Sequence, residues 1–110
     1  MISARYRLNV SFTDRGFKPF FRGSFFALKK RLNGLDHSRI GVVLSKKYSK
    51  KATARNRIKR DIFRFFQKNR QFLEKYPEPS DIVFILLTTE NQMKDNKEAF
   101  TKELTNVLSL

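Results

Sequence analysis

SKKYSKKATARNRIKRDIFR, residues 45–64, carries Lys46, Lys47, Lys50, Lys51, Arg55, Arg57, Lys59, Arg60 and Arg64, with Asp61 the one acid among these nine bases. Its second half reads as the start of a long helix over residues 53–75. Taking about 100° per residue with Ile58 at zero, Ile62, Phe65 and Phe72 fall within about 40° of Ile58, which predicts a core stripe. Arg57, Arg60, Arg64 and Lys68 fall between about 200° and 280°, a basic stripe on the far side. Arg55 and Lys59 flank the core stripe. Phe63 lands at about 140°, on the polar side, where it is either a surface accident or a ring that stacks on a ligand.

Outward from this helix, residues 40–46 read as a strand with Ile40, Val42 and Leu44 on one face. Asn33-Gly34 is a strong turn signal, and 36–38 extend the loop. Before it, residues 20–31 read as one strand, which would form an antiparallel hairpin with 40–46. Its aromatics, including Phe21, Phe25 and Phe26, fall on both faces. Either one face is core and the other a binding platform, or the sheet is covered on both sides. Residues 5–13 suggest a short helix through Leu8 and Phe12, broken by Gly16 and Pro19.

Downstream, Pro77 and Pro79 end the long helix. Residues 81–88 contain IVFILL, a continuous apolar strand expected to be central. A helix connects it to the second strand, so those two strands should be parallel. Asp95 with Glu98 resembles a capping box for a last helix running to about Leu108, with Phe100, Leu104, Val107 and Leu108 facing the core.

The chain has 110 residues and a net charge of +14, from 24 bases and 10 acids. That length suits one domain spanning 1–110. There is no cysteine, which excludes disulfides and thiolate metal sites and fits a reducing cytoplasm. MISARYRLNVSF has no long apolar run and no small-residue cleavage site, so neither a secretory signal nor a membrane span is expected. Charge of this size and sign points to a polyanion partner, with nucleic acid ahead of a membrane surface, because the basic helix also has a core stripe to bury. A merely solvated basic surface is the plainer alternative.

The residue types favour binding over catalysis. The single histidine, His37, falls in a predicted loop and reads as plain surface. The acids are scattered, and no phosphate-cradling glycine loop, HExxH or GxSxG occurs. Arginine, by contrast, offers a planar fork for phosphate, and lysine a point charge. Arg55-Asn56-Arg57 places two forks and an amide near a helix N-terminus, which itself favours anions. Aromatics on an open sheet face could stack unpaired bases.

The combined motif resembles that of the protein subunit of bacterial ribonuclease P. The matching residues are Gly41-Val42-Val43-Leu44-Ser45-Lys46-Lys47, then Lys51-Ala52, Arg55-Asn56-Arg57-Ile58-Lys59-Arg60 and Phe66, with Asp81-Ile82-Val83 fitting the next strand. The resemblance covers roughly residues 20–108. It implies an α+β fold, an α/β sandwich in which a mostly antiparallel sheet of about four strands is packed by three helices, with a left-handed βαβ crossover. It also implies a role in removing the 5′ leader of precursor tRNA, with the chemistry and Mg²⁺ belonging to the RNA subunit. No protein partner would be required. On this resemblance Lys46, Lys47, Arg55, Asn56, Arg57, Lys59 and Arg60 contact the catalytic RNA, and the neighbouring Lys50, Lys51 and Arg64 extend that surface. Phe21, Phe25 and Phe26 would line a cleft for the leader.

The chain departs from the family pattern at Phe63-Arg64, where Arg then Glu or Gln is usual, at Leu86-Leu87, where Ala-Arg is usual, and in its N-terminal helix. Two other classes of function stand beside this one. A ribosomal or other structural RNA-binding protein would show the same charge and helix stripe, and a protein-only nuclease would need a carboxylate or histidine cluster.

Overall fold

The computed structural model describes residues 4–8, 16–44, 47–75 and 77–109. Four strands form one sheet: β1 (Lys18–Arg22), β2 (Phe26–Leu32), β3 (Arg39–Leu44) and β4 (Ser80–Leu86), in the spatial order β1-β2-β4-β3. The β1–β2 and β2–β4 pairs are antiparallel, and β3 runs parallel to β4. The helices are α1 (Ala52–Lys68), α2 (Gln71–Glu74), α3 (Glu90–Asp95) and α4 (Lys97–Val107), and a 3-10 turn occupies Ala4–Tyr6. This is the expected mixed α+β sheet, with four helices among the described residues rather than three.

The apolar run of β4 takes the central position that its burial requires, with neighbours on both edges. The β3–α1–β4 connection joins parallel neighbours, as the intervening helix demands. β2 and β3 do run in opposite directions, but they are not a hairpin, because β4 lies between them. The Asn33-Gly34 turn is present: Gly34 has φ 70° and the Leu35 amide donates to Asn33 Oδ1 at 2.8 Å. Residues 33–38 carry the chain past β4 instead of reversing it onto β2.

The strand expected over 20–31 is two strands. The turn sits at residues 23–25, where the Gly23 amide donates to the Phe26 carbonyl at 2.8 Å. The reversal moves Phe21 onto the face of Phe26. Phe21 pairs with Leu28, and Phe21, Phe26 and Leu28 share the face that packs on the helices. β1 is an edge strand, where Pro19 is tolerated beside a break in register.

One hydrophobic cluster joins that face to the helices. Phe26 stacks on Phe84 at 4.4 Å and meets Phe100 of α4 edge-on at 6.0 Å, while Phe66 of α1 meets Phe84 at 6.2 Å. Ile58, Ile62, Phe63 and Phe66 are the buried residues of α1. Phe63 is only 4% exposed, with the Arg7 guanidinium over its ring at 5.1 Å, so it is neither a surface accident nor a stacking platform. The apolar arc of α1 is centred on about 70°, between Ile58 and Phe63, rather than on Ile58. Phe65 and Phe72 pack at its edge, half-buried.

α1 stops at Asn69, short of residue 75. Both the amide and the side-chain Nδ2 of Asn69 donate to the Phe65 carbonyl, at 3.1 and 2.8 Å, and Arg70 begins a separate turn. The C-terminal helix is likewise divided. Its capping box is formed by Thr89 and Gln92, not by Asp95 and Glu98. Asn96 donates from Nδ2 to the Gln92 carbonyl at 2.8 Å, and the chain re-enters a helix there. Of the short helix expected over 5–13, residues 9–13 lie outside the described residues. Tyr6 is buried, and Arg7 bridges to Ile40 of β3.

On the other face, in-register Arg31, Asp81 and Arg39 form a row across β2, β4 and β3. Asp81 is 3% exposed and takes a two-pronged contact from Arg39, Nε to Oδ1 and Nη2 to Oδ2, each 2.8 Å. Asn33 Nδ2 adds a third hydrogen bond at 3.1 Å. A carboxylate this buried requires such partners.

Candidate nucleic-acid interface

The face of α1 opposite its core arc exposes Arg57, Arg60, Arg64 and Lys68. Arg57 and Lys68 lie eleven positions apart, about 16 Å along the helix. Asn56 is exposed beside them, as are Lys47, Lys50 and Lys51 in the loop leading into the helix. Arg64 approaches Asp61 at 3.6 Å with both side chains 53% exposed, a contact of little energetic weight. The burial of Ile58, Ile62 and Phe66 against the sheet fixes how this charged face is presented.

Lys51 occupies the N-cap of α1 with extended backbone and no side-chain capping bond. The first turn holds no acid. A lysine has no acceptor to offer the free amides of that turn, so the positive end of the helix dipole is left for an external anion. The first helical bond runs from the Arg55 amide to the Lys51 carbonyl at 3.1 Å.

The ten basic and amide residues singled out in the sequence divide into groups. Lys47, Lys50, Lys51, Asn56, Arg57, Arg60 and Arg64 are exposed. Arg55 and Lys59 are half-buried, because they fall on the same side of the helix as the core arc. Arg55 Nη1 donates to the Ser49 carbonyl at 2.8 Å and thereby holds the loop against the helix. Lys46 lies outside the described residues. Lys68, seen in the stripe but left out of the candidate set, shares the exposed face.

The three phenylalanines expected to line a leader cleft lie on the packed side of the sheet. Phe26 is 0% exposed and presents no ring face to a ligand, because the β1–β2 reversal turns it inward. Phe21 and Phe25 are half-buried. Phe21 stacks on Phe26 at 5.3 Å, and Phe25 meets Phe100 edge-on at 5.9 Å.

His37 is not the surface residue its loop position suggested. It is 8% exposed, with Nδ1 at 2.6 Å from Asp36 Oδ1, Nε2 at 2.9 Å from the Arg5 carbonyl, and the ring edge-on to Tyr6. It anchors the N-terminal segment. The His37 hydrogen bond, followed by the Arg5 charge, holds the Asp36 carboxyl below its ordinary range. Among the described residues no group of three His, Cys, Asp or Glu could hold a metal ion, and no helix is long and apolar enough to cross a membrane.

Comparison with known proteins places the chain among relatives. The family model described as Ribonuclease P matches residues 15–109. The ribonuclease P protein component of Chromobacterium violaceum is 47% identical over 51 residues, covering 46% of this chain and 42% of that one. That of a Pseudanabaena species is 34% identical over 90 residues, covering 81% and 73%. The chain spans about half the length of most curated relatives it matches. In three dimensions the ribonuclease P protein of Thermotoga maritima superposes with a TM-score of 0.66 at 30% identity, over 84% of this chain and 81% of that one.

Proposed function

The chain belongs to the ribonuclease P protein family, and on that premise we propose that it is the protein component of a ribonuclease P, the endoribonuclease that matures the 5′ end of tRNA. In this reading it binds the catalytic RNA subunit and the 5′ leader of precursor tRNA, and it works in the cytoplasm without a further protein partner. The observation that carries the reading is the exposed cationic face of α1, Arg57, Arg60, Arg64 and Lys68, continued by the loop lysines Lys47, Lys50 and Lys51.

Each element of that surface has a job. The guanidinium forks grip phosphates of the RNA subunit, and the loop lysines add point charges that displace counterions. The uncapped N-terminus of α1 offers amides to a further phosphate. Asn56 supplies an amide for a sugar or base edge. Arg55 acts one step back, by holding Ser49 and the loop in place. Mg²⁺, bound through the RNA, supplies the metal chemistry. Of the three phenylalanines expected at the leader, Phe21 and Phe25 keep surface that can meet a base.

The test is cleavage of precursor tRNA at low Mg²⁺ by a bacterial ribonuclease P RNA, alone and with this protein added. The expected result is a higher rate with the protein. RNA binding without any gain in cleavage would move the protein to a structural RNA-binding role, and the absence of both binding and stimulation would overturn the RNA-binding reading altogether.

A further inference from the structure

The sequence motif accounts for α1 and its loop but not for the basic residues that the fold brings up against them. α1 and the α3–α4 corner enclose a cleft of about 360 Å³. Lys51 and Arg57 line one side, and Lys94 of α3 and Lys97, the first residue of α4, line the other. These four cations come from regions more than thirty residues apart in the chain. Asp61 and Glu90 are the carboxylates of the wall, and Asp61 is drawn toward Arg64 at 3.6 Å. None of Lys51, Arg57, Lys94 and Lys97 has an ion-pair partner among the described residues. The cleft therefore keeps a cationic surplus that the described residues do not neutralise.

Tyr48 forms part of the same wall and is buried. Its carbonyl accepts from the Glu90 amide at 2.7 Å, which ties the loop before α1 to the start of α3. Burial, and after it the Glu90 and Asp61 charges, push its phenol above the ordinary value, so it stays neutral. The cleft is thus a fixed corner between two tethered elements, not a gap between independent ones. Its volume lies at the small end of ligand clefts and suits one nucleotide unit rather than a duplex.

We propose that this cleft receives backbone phosphate of an RNA strand, with Lys94 and Lys97 contacting it from across Lys51 and Arg57. The RNA surface then does not end at α1 but continues onto the α3–α4 corner. Arg57 supplies the directional fork, and the lysines supply compact charge that an RNA phosphate can share. The inference rests on the RNA-binding reading of α1, and it adds Lys94 and Lys97, which no motif marks.

The experiment compares the full chain with a Lys94→Ala/Lys97→Ala variant and a Lys102→Ala control on α4 away from the cleft. Two probes are used, a bacterial ribonuclease P RNA and a labelled single-stranded RNA oligonucleotide, each titrated over a range of salt. Loss of two phosphate contacts should weaken binding about tenfold and flatten the logarithmic salt slope by about 1.4. The control should match the parent protein. Glu90→Gln removes a negative charge from the wall and should tighten binding about twofold, a gain that a merely structural role would not produce. Unchanged affinity and slope in the double variant would overturn the proposal. Cleavage of precursor tRNA is read separately. Lysine-dependent binding of the oligonucleotide with no stimulation of cleavage would sink the ribonuclease P reading and leave the cleft standing.

Discussion

The Glu103 carboxylate occupies the space that a Cβ on Gly23 would need: its Oε1 lies 2.0 Å from that position. From there it accepts the amides of Ser24 and Phe25, each at 3.1 Å, and so clamps the β1–β2 turn to α4. Gly23→Ala should displace the carboxylate and break both bonds. The expected loss is about 1–2 kcal/mol in urea unfolding. Glu103→Ala should cost a similar amount. Because both changes remove the same contact, the double variant should be less destabilised than the sum of the two singles.

Phe63→Ala should be among the more damaging changes in α1. The ring is buried in the main cluster and capped by Arg7. Removing it leaves a cavity, at a cost of about 3–5 kcal/mol. Arg7→Ala, which strips only the cation from the ring face, should cost about 0.5–1 kcal/mol. Equal, small effects in thermal unfolding would return Phe63 to the surface.

Arg55 and Arg57 are neighbours in one motif but should separate under mutation. Arg57→Ala removes an exposed side chain, so stability should hold within about 0.5 kcal/mol. Its RNA affinity should fall, with the salt slope lower by about 0.7–0.9. Arg55→Ala should lower stability by about 1 kcal/mol, because the Ser49 carbonyl loses its charged donor. Measuring melting temperature and RNA binding on both variants distinguishes the two roles.

The hydroxyl of Tyr6 donates to the Glu74 carboxylate and joins the N-terminal segment to α2. That hydrogen bond, followed by burial, raises the phenol above its usual 10.0. A raised value means the folded state prefers the neutral phenol. The stabilisation is therefore complete below pH 10 and is lost as pH rises through the folded value. The stability gap between the parent protein and Tyr6→Phe should be constant from pH 7 to about 9 and close above pH 10. A gap that does not narrow as pH rises above 10 would show that the hydrogen bond is not its source.

Much of the fold follows from period and composition. IVFIL, residues 82–86, had to be a buried central strand, because both of its faces are apolar, whereas Leu87, which ends the apolar run, lies outside β4 and is exposed. A helix between it and the preceding strand had to make the two parallel. The charged face of α1 was legible because Arg57, Arg60, Arg64 and Lys68 repeat at helical spacing, and helical spacing is a property of the backbone alone. The motif around those residues also carried the family resemblance.

Tertiary packing decided the rest. Whether 20–31 was one strand or two depended on Glu103, nearly eighty residues away, accepting the amides of the turn. Which strand lay beside β2 depended on where β4 could bury both faces, not on the Asn33-Gly34 turn. Phe63 and Phe26 went inward because the core arc of α1 and the reversal at Gly23 are set by contacts that no local pattern contains. Lys94 and Lys97 came to face Arg57 through the folding of the C-terminal helices against α1. Local sequence fixes periodicity and turns, but burial is a free energy of the whole chain, so partners and facing emerge only when the elements compete for the same core.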